Sequence, residues 1–404
     1  MLKFTCKEYL STNPHAIQLK LLLFIKERDG DMKLICKQEN LTKALNIVSK
    51  AITNRSTLPI LKGILISCES GKDNIIISAS DLEISIDTKV EAIVEESGSI
   101  VLSSKLFSDI VRKMPSEDLV ISSGEGDLTE IKGSSDEFTL QGLPSDEFPR
   151  INLEEKGSSF IVKKDILKNL IRKTSFAASN DETRGIITGE LIEIKKESIT
   201  FAALDGFRMA IVKDEISNIR EKSIIIASRI IQEIGKVLSE TDEDSDIRIV
   251  ADEKKATFIF ENSRIVTRLM EGEFIKYRDI LPKENRINIK INRMRLMESV
   301  ERASIIVREG KNTFIKFAME DDILTVSSRA VEGTSKGVIP IEKEGENIEI
   351  GFNARYILDA LKAIDDEEII MEFNTGISPC IIKPVEGDSF DYLILPVRLS
   401  TTPL

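Results

Sequence analysis

The chain has 404 residues, 41% hydrophobic and 31% charged, with a formal net charge of −12. That length suits two to four ordinary domains, and the apolar content supplies real cores, which excludes a disordered chain. Acidity taken alone argues against nucleic acid, and the single histidine, His15, leaves everything after it without the commonest general base and metal ligand.

Residues 1–31 read differently from the rest and are expected to be a disordered N-terminal extension. Their apolar run Leu21–Ile25 is far short of the roughly 20 residues that span a bilayer, and no small-residue cleavage site follows it. A first strand begins at Met32-Lys33-Leu34-Ile35. Asn40-Leu41 opens a helix with Leu41, Ala44, Leu45 and Val48 at helical spacing. Strand-like runs follow at 63–67, 74–78 and 84–88, then a helix over 104–114 that stops before Pro115, then strands at 119–122, 128–132 and 137–141. A second unit repeats that order: helix 164–177, strands, helix 228–239, strands 246–251, 256–261 and 264–270. A third runs from helix 293–307 through helix 353–364 to strands 368–373, 379–383 and 390–396.

The repetition is numerical. Polar residues open the second helix of each unit at Ser104, Ser228 and Asn353, spaced 124 and 125 apart. An Asp-centred turn recurs at Asp81-Leu82-Glu83 and Asp205-Gly206-Phe207. The unit ends rhyme too, from Gly142 to Glu147-Phe148-Pro149-Arg150-Ile151, then Gly272-Glu273-Phe274-Ile275 with Tyr277-Arg278-Asp279-Ile280 beyond. A period this long means repeated domains and not a solenoid, whose repeats run about 20 to 50 residues. The expected architecture is α+β, with three repeated domains at 32–155, 156–284 and 285–399, each of two helices on antiparallel sheet, and a tail at 400–404.

Charge is segregated across these helices. The six helical stretches sum to +11, leaving about −23 elsewhere on the chain. Basic pairs sit seven residues, about two turns, apart at Lys43/Lys50, Lys105/Arg112, Arg229/Lys236, Arg295/Arg302 and Arg355/Lys362. Lys164, Lys168 and Arg172 stand at i, i+4 and i+8. One lysine-rich helix is an ordinary solvated face. Six in three repeats point to a surface that holds a phosphate backbone without reading bases. Few aromatics accompany them, so stacking on single strands is not indicated. The scattered Cys6, Cys36, Cys68 and Cys380 have no zinc spacing and suit free thiols in a reducing cytoplasm. No phosphate loop of the GxGxxG or GxxxxGK[ST] kind occurs, and no cofactor or metal is expected.

Four motifs then make the chain recognisable: Thr57-Leu58-Pro59-Ile60-Leu61, Leu204-Asp205-Gly206-Phe207-Arg208-Met209-Ala210, Ile350–Leu358, and the terminal Tyr392–Leu399. In order and spacing over residues 32–399 they resemble the bacterial DNA polymerase III beta subunit family, the sliding clamps. The resemblance implies a head-to-tail homodimeric ring with helices lining a central hole, encircling duplex DNA without sequence specificity. It implies a non-enzymatic processivity factor whose partners are the polymerase III catalytic subunit, the clamp loader and other clamp-motif proteins. DNA contacts would then fall on Lys43, Lys50, Arg55, Lys105, Arg112, Lys164, Lys168, Arg172, Arg229, Lys236, Arg295 and Arg302, with Arg55 matching a family DNA-contact position.

The same resemblance implies a partner-peptide pocket between the second and third units. Its matching positions are Ile187, Leu204, Gly206, Phe207, Arg208, Met209, Ile275, Asp279 and Ile280. From the third unit come Asn353, Tyr356, Ile377, Pro379, Leu393, Ile394, Leu395, Pro396, Val397, Arg398 and Leu399. An apolar groove with a polar rim can take the leucine and phenylalanine anchors of a linear motif. Ile275, Asp279 and Phe207 depart from the family's frequent proline, arginine and histidine. Gln18–Phe24 in the leader resembles the peptides that dock on such rings. A hydrolase built on Asp205 is the reading from another class, although a Leu-Asp-Gly turn gives that carboxylate a structural job.

Overall fold

The structure, a computed structural model, describes residues 32–53, 56–149, 157–217, 220–241, 245–308 and 314–399. The leader with its Gln18–Phe24 motif, Arg55 and the 400–404 tail lie outside the described residues. The chain forms two compact units, one from the part up to Asn152 with Asn262–Arg264, the other from the rest.

In the first unit, strand Met32–Lys37 buries alternate residues Met32, Leu34 and Cys36, the period of a strand packed on one face. It pairs antiparallel with Asp118–Ser123 on one side and the long strand Ile84–Glu96 on the other. The ladder continues through Asn74–Ser80 and Gly63–Cys68 to Gly98–Ser103, and outward through Leu128–Lys132 to Glu137–Gln141. Helices α1 (Gln38–Val48) and α2 (Ser104–Lys113) pack on each other, α1 also on Ile84–Glu96. Phe107 and Val111 of α2 are fully buried, and its Lys105 and Arg112 are exposed.

The second unit carries two further copies of this plan, and strands of both copies share one nine-stranded sheet. Its order is Lys222–Ala227, Gly189–Ile194, Ser198–Leu204, Arg208–Glu215, Phe390–Ile394, Cys380–Pro384, Glu368–Phe373, Ile287–Asn292 and Glu342–Glu344. The seam is Arg208–Glu215 against Phe390–Ile394, where Met209 faces Leu393 and Arg208 faces Ile394. A four-stranded sheet (Gly333–Pro340, Ile323–Ala330, Phe314–Glu320, Ile348–Asn353) completes the third repeat. Helices α3 (Lys164–Thr174), α4 (Ser228–Glu240), α5 (Arg293–Arg308) and α6 (Ala354–Ala363) form a contiguous row by contact, α4 on α3, α3 on α6 and α6 on α5. At the α3–α4 crossing a Cβ on Gly235 would lie 2.9 Å from Ile171 Cγ2, so the close approach requires glycine.

The three repeats share one register. Gly63 pairs with Ser103, Gly189 with Ala227 and Phe314 with Asn353, each just before a second helix. The expected polar caps are corrected in part. Ser104 and Ser228 are the first helical residues, and Ser103 and Ala227 at the cap make no side-chain bond. Only Asn353 caps as expected, its side chain accepting from the Arg355 N–H at 2.9 Å. The first helix starts at Gln38 and not at Asn40, and therefore contains Glu39, which pairs with Lys43 at 3.0 Å.

Candidate functional site

The basic residues fall into three groups. Lys105, Lys168 and Arg295 reach solvent with no ion pair among the described residues. Lys43, Arg112, Lys236 and Arg302 are exposed but each meets a nearby acid of its own helix: Glu39, Asp109, Glu233 and Glu298 at 3.0, 3.7, 2.8 and 3.8 Å. Such exposed pairs are worth a few tenths of a kcal/mol, so a phosphate can displace them. Arg229 is exposed and Lys50 partly so.

The third group corrects the expectation at Lys164 and leaves Arg172 exposed but bonded across repeats. Lys164 is buried, and its ammonium donates to the Thr241 carbonyl at 2.6 Å, so it is a structural cation with no face toward solvent. Arg172 joins the second and third repeats: its guanidinium donates to the Ala363 carbonyl at 3.0 Å and to Asp365 Oδ2 at 2.5 Å. That places a cation on the last turn of α6, where the helix dipole favours it. Lys173 meets the same carboxylate at 3.1 Å.

The pocket forms where the Asp205 turn joins two strands. Asp205 Oδ1 accepts the Phe207 and Arg208 N–H groups at 2.8 and 3.0 Å, and Oδ2 accepts Arg208 Nε at 3.0 Å. Gly206 takes φ +87°, a conformation costly for other residues. Asp205 is thus occupied in fixing a turn, which leaves no free base for the hydrolase reading. The turn lifts Phe207 to 53% exposure. Its ring stacks on Tyr356 at 6.3 Å between centroids, and its carbonyl accepts the Leu395 N–H at 2.8 Å.

Arg208 is only 7% exposed. Its guanidinium sits 4.6 Å over the Tyr356 ring and donates to Asp359 Oδ2 of α6 at 2.6 Å. Two carboxylates and an aromatic face therefore compensate its burial and tie the second repeat to the third.

Leu204, Gly206, Phe207, Arg208, Met209, Ile280, Leu393 and Leu395 line a surface pocket holding about 320 Å³ of empty space, part of it open to solvent. Behind it Leu204, Met209 and Leu393 continue into a packed cluster with Ile187, Leu191, Tyr277 and Ile381. Tyr277 anchors the segment that delivers Ile280. Its hydroxyl donates to Glu193 Oε2 at 2.6 Å, and Arg278 donates to the same carboxylate at 2.6 and 3.2 Å. Burial alone would raise the Glu193 carboxyl, but the bonds from Arg278 and Tyr277 hold it below the usual range. Burial, reinforced by that carboxylate, pushes the Tyr277 phenol up.

Eight of the expected pocket residues therefore converge, and the others do different work. Ile187 packs in the cluster behind the pocket. Ile394, 1% exposed, points to the opposite face of its strand from Leu393 and Leu395, as a two-residue period requires. Val397 leaves the pocket to donate to the Gly351 carbonyl at 2.9 Å. Pro396 and Leu399 are half-buried in this terminal run, and Arg398 is exposed. Asn353 caps α6, Ile377 stands 78% exposed, Pro379 is half-buried, and Ile275 and Asp279 are exposed on the segment leading to Ile280. Sequence reasoning missed Arg184, whose Nη1 donates to the Asp205 carbonyl and whose Nη2 lies 2.9 Å from where a Gly206 Cβ would stand. Its one signal was a cation just before Gly185, which adopts φ +60°.

No described helix is long and apolar enough to cross a membrane. Among the described residues no cluster of His, Cys, Asp or Glu could hold a metal. Residues 32–153, 161–276 and 278–398 match the N-terminal, central and C-terminal domains of the DNA polymerase III beta subunit. The beta sliding clamp of Staphylococcus aureus is 34% identical over 378 residues, 91% of this chain and 99% of that protein. Crystal structures of a DNA polymerase III beta subunit from Eubacterium rectale and the DNA polymerase sliding clamp from Bacillus subtilis each superpose with a TM-score of 0.87. They are 35% and 31% identical, and each covers 91% of this chain and all of its own. The repeated helix pairs, the shared register and these matches agree: the chain belongs to the bacterial DNA polymerase III beta subunit family, the beta sliding clamps.

Proposed function

We propose that this clamp works as a closed ring of two copies around duplex DNA, a tether without catalytic chemistry of its own. The observation that carries the reading is the presence, on helices of all three repeats, of solvent-reaching cations with no ion pair among the described residues: the exposed Lys105 on α2 and Arg295 on α5, and the partly exposed Lys168 on α3. Cations spread in this way neutralise phosphates weakly and without reading bases, which holds DNA while letting it slide. The three domains are divided at 32–155, 156–284 and 285–399.

Two strand edges that pair with no further strand among the described residues support closure by a second copy. Glu137–Gln141 ends the first unit's sheet and exposes Phe138, and Gly333–Pro340 ends the four-stranded sheet and exposes Val338. An unpaired edge with an exposed apolar side chain is a template for another strand. Joining the first edge of each copy to the second edge of the other closes a head-to-tail ring.

The apolar pocket then serves as the docking point for short linear peptides of the polymerase III catalytic subunit, the clamp loader and other replication and repair proteins in the cytoplasm. Leu204, Met209, Leu393, Leu395 and Ile280 receive the apolar anchors, and Arg184 joins the rim. The test is a triple variant, K105Q/K168Q/R295Q, measured for DNA retention after loader-driven loading. The expected result is reduced retention with a shallower salt dependence. Retention and salt slope equal to wild type would overturn the DNA-facing assignment.

A further inference from the structure

The segment that supplies Ile280 to the pocket carries three carboxylates. Glu271, Glu273 and Asp279 are exposed, and among the described residues none makes an ion pair. Their basic neighbours differ in state. Arg278 is occupied by Glu193 at 2.6 Å and by stacking over Tyr277 at 4.6 Å. Lys276 is exposed and pairs with no acid among the described residues.

Asp279 closes a single helical turn, its N–H bonded to the Lys276 carbonyl at 3.0 Å, and Ile280 follows directly into the pocket lining. Tyr277, 3% exposed and bonded to Glu193, fixes this turn against the apolar cluster. The backbone beside Ile280 is therefore held in place, and the exposed Asp279 carboxylate it carries makes no ion pair among the described residues. On the Gly206 side the nearby charge is the guanidinium of Arg184.

We infer that Asp279 is a specificity-determining residue of the pocket and selects peptides carrying a lysine or arginine next to the apolar anchor. The inference rests on the peptide-docking reading above and adds the charge of the ligand. A carboxylate one residue from the pocket-lining Ile280 attracts a cation in an incoming peptide and repels an acid. At an exposed position this is worth only a small factor in affinity, so it discriminates among ligands that the apolar anchors already bind.

The experiment uses the full chain and two fluorescein-labelled pentapeptides with a Leu-Phe anchor, one flanked on both sides by lysine, the other by glutamate. Anisotropy titration at moderate salt is expected to favour the lysine peptide by about threefold. Asp279→Asn should reduce that ratio and Asp279→Lys should reverse it. Glu332→Gln, which removes an exposed carboxylate from a hairpin that lines no part of the pocket, should leave the ratio unchanged and so controls for net charge. A ratio unmoved by both Asp279 variants, with both peptides still binding, would overturn the inference and leave the pocket reading standing. Failure of both peptides to bind the folded wild type would overturn the pocket reading and the inference together.

Discussion

The first and second repeats place different chemistry on the same backbone. In one, Asp81 Oδ1 accepts the N–H groups of Glu83 and Ile84 at 3.0 and 2.9 Å. In the other, Asp205 Oδ1 accepts those of Phe207 and Arg208 at 2.8 and 3.0 Å. Leu82 takes φ +77° where Gly206 takes +87°. The position after that turn is a buried Ile84 in the first repeat and a buried Arg208 in the second. The matched register shows a second exchange, since the residue after Gly63 is Ile64 and the residue after Gly189 is Glu190, both fully buried. The first repeat solves these positions with apolar packing. The second puts ionisable groups there, and one of them joins the pocket. A repeated fold thus acquires a site by changing what stands on an unchanged turn, while backbone hydrogen bonding stays the same.

The largest test of that contrast is Arg208→Ala, which leaves Asp205 and Asp359 without their shared cation. It is expected to cost about 3 to 5 kcal/mol in urea unfolding, and a loss under about 1 kcal/mol would show the pair to be dispensable.

Glu190 supplies the next test. Its carboxyl receives the hydroxyls of Ser228 at 2.6 Å and Thr174 at 2.9 Å, yet Thr174 also serves the Leu170 carbonyl at 2.8 Å with its one proton. A protonated acid supplies the missing hydrogen, and burial raises the Glu190 carboxyl from 4.5 to about 7. The folded state therefore holds a proton that the unfolded state releases. Its stabilisation is full below about pH 4.5 and is lost as pH rises through about 7, by up to about 3 kcal/mol. Glu190→Gln is expected to flatten this dependence and raise stability at pH 8, read from melting curves at pH 5 and 8. An unchanged slope would mean that Glu190 stays ionised when folded.

Two smaller effects follow from the paired turns. Asp205→Ala should cost about 2 kcal/mol and Asp81→Ala about 1 kcal/mol, since only the first also strips a partner from a buried guanidinium. Equal losses in chemical denaturation would make the Arg208 bond irrelevant. Leu82→Gly should gain about 0.5 kcal/mol by relieving a positive φ, offset in part by the lost cover of a half-exposed side chain. A loss on thermal melting would mean that Leu82 packing outweighs the backbone cost.

Much of this was legible in the sequence for a physical reason. Hydrophobic periodicity and repeat spacing are local, so six helices and their strands could be placed to within a few residues. The Asp-centred turns announced themselves by composition, and the terminal Leu393 and Leu395 followed from their family motif. What escaped depended on distant partners. Nothing near Lys164 reveals that its amine reaches Thr241, and nothing near Arg172 reveals Ala363 or Asp365. Strand alternation separated Ile394 from Leu393, a distinction that a motif match does not make. Arg184 stayed hidden because its role depends on the carbonyl of Asp205, 21 residues on.

A ring holds DNA by topology, which cutting the DNA can reveal. The protein is loaded on nicked circular DNA with a bacterial clamp loader and ATP, retention is measured, and the DNA is then linearised. A closed ring should stay on circles and run off cut ends. Retention indifferent to cutting would show ordinary phosphate binding and contradict the ring.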